Sequence, residues 1–198
     1  MGLDGYGEPG VDINERNDIC CPQLRAIDGV NPMDESFVYA RSAGITCVCT
    51  GPGSANVLGG TFTAIKTAGT RIDDMIVKKE AAMKCAFGEN PKRCYASKCD
   101  SSRMTTAAIL REALMKARLY LQKKEAAGDD VFRQPAFDMK LEALIPVLRG
   151  QIPLKAHAHR ADDIFTAIRI ADEFGVRLTL EHTTEGHLIA DELAQECD

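Results

Sequence analysis

Tryptophan is absent from the 198 residues, aromatic side chains make up only 6%, and none of the eight cysteines forms a C-x-x-C pair. The missing C-x-x-C argues against a zinc ribbon or a thioredoxin-type redox site. Cysteine at about 4% is also too sparse for a disulfide scaffold. Cys47 and Cys49 stand in the apolar run ITCVC, where thiols act as small core residues, and all eight are expected to be reduced. No apolar run approaches the roughly 18 residues needed to span a bilayer, so no membrane association is expected. The first 15 residues carry Asp4, Glu8, Asp12 and Glu15 and lack the apolar core of a signal peptide. Basic residues number 24 against 29 acidic ones, a net charge of −5, which lacks the basic face that nucleic acid demands. A soluble, cytoplasmic protein is the expectation.

What is present is an ordinary globular composition, 45% hydrophobic and 27% charged, long enough for one sizeable core. Residues 1–22, rich in Gly, Asp and Asn, read as an irregular loop, and one domain over 1–198 is expected. Asn31 and Pro32 predict a helix start, with the helix ending near Gly44. ITCVC reads as a short buried strand, PGSANVLGG as a loop, and weak strand signals lie at 61–66 and 75–77. AAMKCAF, 81–87, is a further apolar run. The stripe Ala108, Leu110, Leu114, Ala117 and Leu121 predicts a long helix over 105–127, closed by Gly128. A second helix is expected over 135–148. Then follow the strand IPLKAHA, an amphipathic helix over 162–174, the strand VRLTLEH and a last helix over 186–197. Strands alternating with helices predict right-handed βαβ units and a parallel sheet, an α/β fold.

All four histidines lie between His157 and His187. His157 and His159 fall where IPLKAHA ends, His182 ends VRLTLEH, and His187 starts the next helix. Ligands of parallel α/β sheets bind at the carboxyl ends of strands, and neighbouring strands lie about 4.8 Å apart. His157 and His182 are therefore expected to converge on one point. Imidazole is a common zinc ligand, so the pair predicts a metal site. His159 is expected to contact substrate or support the ligands, and His187 to have no catalytic role. Glu89 follows AAMKCAF at another strand end and is a candidate third ligand. Lys84, which carboxylation would convert to a ligand, competes with it but lies five residues earlier. The glycines around Ser54 and Asn56 match neither G-x-G-x-x-G nor a phosphate-binding loop, and are expected chiefly to turn the chain.

LKAHAHRADDI and LTLEHTTEGHLIADEL, with TGPGSANVLGGTFTAIKT, AFGENPKR and residues 23–34, resemble the metal-dependent amidohydrolases, in particular the imidazolonepropionase-related bacterial branch. The resemblance runs from about residue 20 to the end. It implies a partial (β/α)8 TIM barrel, about strands 2 to 6, with zinc or another divalent metal, one or two ions, at the carboxyl ends of the strands. His157 and His182 would be the metal-binding histidines of the fifth and sixth strands, and Glu89 would lie near the end of the fourth. His159 and Arg160 would contact the substrate. The implied activity is hydrolysis of C–N bonds in a small amide, cyclic or peptide-like, by water that the metal activates.

The family's first-strand His-x-His and eighth-strand Asp, the general base, find no counterpart. The chain is therefore expected to be an internal piece of a longer hydrolase, inactive alone, that associates through exposed barrel edges or as a homo-oligomer. Two rival readings predict different behaviour. A non-catalytic binding or assembly module with structural histidines would take up no metal. A lyase or deaminase on the same barrel would differ in substrate profile.

Overall fold

The computed structural model describes residues 12–98 and 101–196. Five strands form one sheet in the order of the sequence, β1 (Cys47–Thr50), β2 (Leu58–Lys66), β3 (Ile76–Ala86), β4 (Leu154–Ala158) and β5 (Leu178–His182). The first two pairings, β1–β2 and β2–β3, are antiparallel, and only β3–β4–β5 is parallel. The expected all-parallel sheet is thus corrected for its first half. The weak signals around 61–66 and 75–77, with AAMKCAF, belong to a long antiparallel ribbon. Its register shifts at Leu58/Gly60 and Phe62/Ala64, irregularities of the kind that bend a strand.

The helices are α1 (Glu35–Ser42), α2 (Ile72–Met75), α3 (Glu89–Cys94), α4 (Arg103–Ala127), α5 (Met139–Leu148), α6 (Ala161–Phe174) and α7 (Ala190–Gln195). The long helix is as expected, and it starts where Ser102 and Thr105 cap each other's backbone. Its buried stripe is Ala107, Leu110, Leu114 and Ala117, whereas Ala108 faces out. Two starts differ from expectation. Asp34, rather than Asn31, caps α1 by accepting from the Ser36 N–H, and Asp138 caps α5 after Pro135. The last predicted helix divides into a short 3-10 turn, Gly186–Ile189, and α7, and its expected end at Cys197 lies outside the described residues.

The main core joins β3, β4, α4, α5 and α6 through Met83, Leu110, Leu114, Leu144, Leu154, Ala156, Ile164 and Ile170. A smaller cluster of Val30, Phe37, Ile65 and Met75 closes the other end. Cys47 and Cys49 are exposed, which corrects the buried strand expected there: among the described residues β1 is the sheet's edge and pairs with β2 alone. Cys20, Cys21, Cys85 and Cys94 are free thiols, as are the two edge cysteines. Cys99 and Cys197 lie outside the described residues. The expected PGSANVLGG loop ends at Val57, because β2 takes up Leu58, Gly59 and Gly60, and two glycines of the 51–60 stretch are needed for close approach. A Cβ on Gly51 would meet the Phe62 ring at 2.3 Å, and Gly60, at φ +109, would meet the Leu24 carbonyl at 2.4 Å. No helix among the described residues is long and apolar enough to cross a membrane.

Candidate active site

The parallel half of the sheet builds the site. Leu154 pairs with Leu178 and Ala158 with His182, so the carboxyl ends of β4 and β5 are level. The ring centroids of His157 and His182 are 4.6 Å apart, as the strand spacing predicts. His159, one residue beyond β4, joins them at 4.6 Å from His157 and 4.9 Å from His182. His182 and Thr183 both adopt left-handed backbone, φ 69 and 46. For residues with a Cβ this costs on the order of 1–3 kcal/mol each. The cost falls at the bend where His182 meets the other rings.

His157 is buried, and burial pushes its pKa down to about 4, helped by the like charges of His182 and Lys84. Burial, then His159, lowers that of His182 as well. Both rings are therefore neutral near pH 7, the form that ligates metal. The His157 Nε2 lies 3.1 Å from the Asn90 amide nitrogen, while its buried Nδ1 has no hydrogen-bond partner among the described residues. His159 Nδ1 is 2.6 Å from the Thr184 hydroxyl.

Beside the imidazoles lies a charge cluster that inspection of the sequence missed. Lys84 is buried on β3 and pairs with Glu181, whose other oxygen accepts from Lys155 Nζ at 2.9 Å. Both ammonium groups sit over the Phe62 ring, at 5.6 and 5.4 Å from its centroid. The two lysines hold the Glu181 carboxyl below its ordinary pKa against the opposing effect of burial. The available signal was the spacing of Lys155 and His157, two apart on one strand and so on one face, with a lysine inside the apolar run of β3.

The other expected residues are engaged with partners of their own. Glu89 opens α3, and its carboxylate binds Arg103. Arg160 precedes α6 and grips Asp162 at 2.9 and 3.0 Å. His187 Nδ1 stands 3.1 Å from the Thr184 carbonyl. Among the described residues, no three His, Cys, Asp or Glu side chains are disposed to hold one metal ion. The lone Nδ1 and two neutral imidazoles thus fit a divalent metal as part of a ligand set.

No protein-family profile matches the chain. A solved amidohydrolase from Thermotoga maritima MSB8 is 43% identical with a TM-score of 0.93, covering 99% of this chain and 52% of its own. The amidohydrolase tasK of Hapsidospora irregularis is 30% identical over 210 residues, covering 95% of this chain and 21% of its own length. The chain thus spans about a fifth of the curated relative and about half of the solved one.

Proposed function

We propose that this chain, an amidohydrolase by its likeness to both relatives, carries the histidine side of a divalent-metal site for hydrolysis of C–N bonds. The observation that carries this reading is the meeting of His157 and His182 at level strand ends, with the His157 Nδ1 buried and unpartnered. His157 and His182 would hold zinc or a similar ion. When bound, such an ion polarises an amide carbonyl and brings the pKa of water toward neutrality. His159, held by Thr184, lies within the same ring cluster and would contact the substrate amide. Arg160 would join it after releasing Asp162.

Of the two candidates for a further ligand, Lys84 on β3 lies buried in the electrostatic neighbourhood of His157, and carboxylation, after release of Glu181, would make it an oxygen ligand. Glu89 would first have to leave Arg103. The resemblance puts the proton-accepting aspartate on an eighth strand, and the described sheet has five. The edges of β1 and β5, each paired on one side in that sheet, would serve for association.

Zinc analysis combined with assay of simple cyclic amides tests the reading. The expected result is weak zinc binding and no turnover by this chain alone. Failure to take up zinc when it is supplied would favour a non-catalytic module. Tight stoichiometric zinc with turnover would overturn the partial-site reading.

A further inference from the structure

The turn that follows β3 is clamped from both sides. Arg103, at the start of α4, donates Nε to the buried Asp163 of α6 at 3.0 and 3.2 Å, and its Nη2 binds Glu89. Gly88 packs against the same Asp163: a Cβ there would lie 3.0 Å from Oδ2. The Phe87 N–H donates to the His157 carbonyl at 2.9 Å. The next side chain after Glu89 is Asn90, whose amide meets the His157 Nε2 at 3.1 Å. In this orientation of the amide, Arg93 donates to the Asn90 oxygen at 3.3 Å.

We propose that Asn90 and Arg103 are positioning residues for His157: Arg103 fixes the Gly88–Asn90 turn between Glu89 and Asp163, and Asn90 then engages Nε2 and leaves Nδ1 facing the site. A carboxamide suits this task because it donates to a bare ring nitrogen and, turned over, accepts from a protonated one. Asn90 can therefore hold the ring in either neutral tautomer: with its nitrogen toward Nε2 the ring proton sits on Nδ1, and turned over it accepts from Nε2–H and frees the Nδ1 lone pair for a metal. A carboxylate there would favour the charged imidazolium. Arg103 does not touch the ring and acts through the turn. Its fork satisfies two carboxylates on different elements, which a lysine cannot reproduce. The consequence for metal affinity rests on the function proposed above, but the ring geometry does not.

The test measures the His157 ring-nitrogen resonances in the metal-free protein, its zinc affinity and its melting temperature. The variants are Asn90→Ala, Arg103→Met, Arg103→Lys and the double variant Asn90→Ala/Arg103→Met. Asn90→Ala is expected to move the Nε2 signal and weaken zinc about 10- to 100-fold. Arg103→Met is expected to move the same signal in the same direction. The double variant should bind zinc no more weakly than Asn90→Ala, because both act along one path. Arg103→Lys retains a charge for Asp163 and is expected to shift the signal too; it carries the test if Arg103→Met fails to fold. Unchanged His157 signals in Asn90→Ala overturn the proposal. So does an Arg103 variant that only lowers the melting temperature. Responsive signals without any zinc binding would refute the metal reading and leave the positioning role standing.

Discussion

His157 and His182 meet with ring centroids 4.6 Å apart and planes at 73°, although a complete helix, α6, separates them in sequence. Parallel pairing brings both strand ends to the side of the sheet where ligands bind, but it sets Glu181 opposite His157 and Ala158 opposite His182; the rings meet where the backbone turns left-handed at His182, φ 69.

The depressed pKa of His157 has a consequence for stability. Its folded value, about 4, lies below the ordinary 6.5, so the neutral ring stabilises the fold above pH 6.5. That contribution is lost as the pH falls toward 4. The expected loss is on the order of 3 kcal/mol. Urea titrations of metal-free protein at pH 7 and pH 4.5 should show it, and His157→Gln should flatten the difference.

Glu181 and Lys84 are expected to respond unequally to mutation. Glu181→Gln leaves the buried Lys84 ammonium without its carboxylate and should cost about 3–5 kcal/mol. Lys84→Met should cost less, because Glu181 keeps Lys155 at 2.9 Å. Equal losses in chemical denaturation would contradict the arrangement.

Thiol labelling distinguishes the edge of the sheet from its interior. Cys47 and Cys49 are exposed on β1, whereas Cys85 is buried and burial pushes its thiol up to about 12. Peptide mapping after brief alkylation of native protein should find Cys47 modified first and Cys85 protected. Early loss of the Cys85 thiol would contradict the core assignment.

Gly60→Ala should destabilise strongly. The added methyl must enter at φ +109 and 2.4 Å from the Leu24 carbonyl, which is backbone and cannot swing aside. A melting temperature within a degree or two of the parent would refute this packing.

The sequence made some of this legible. Caps, periodicity and closing glycines placed α4 and α6, and the repeat from β4 to β5 brought His157 and His182 to neighbouring strand ends, although the register pairs His157 with Glu181 and His182 with Ala158. The antiparallel ribbon escaped because β3 begins with the exposed Val77–Lys79 segment before turning inward at Ala82, so no single period describes it. ITCVC resembles a core strand in composition, and only the sheet order makes it an edge. Lys84 signalled a buried charge, but its partner Glu181 comes from a strand two places away in the sheet. A strand end precedes Glu89, which makes it a candidate ligand by sequence. Its partner Arg103 belongs to a helix whose docking no local spacing reveals.

Zinc titration by calorimetry of the parent chain against His157→Ala and His182→Ala, at pH 7.5, tests the central claim most directly. The account predicts one weak site in the parent, with binding reduced or lost in each variant. Zinc binding that is absent from the parent, or that survives both substitutions unchanged, would contradict it.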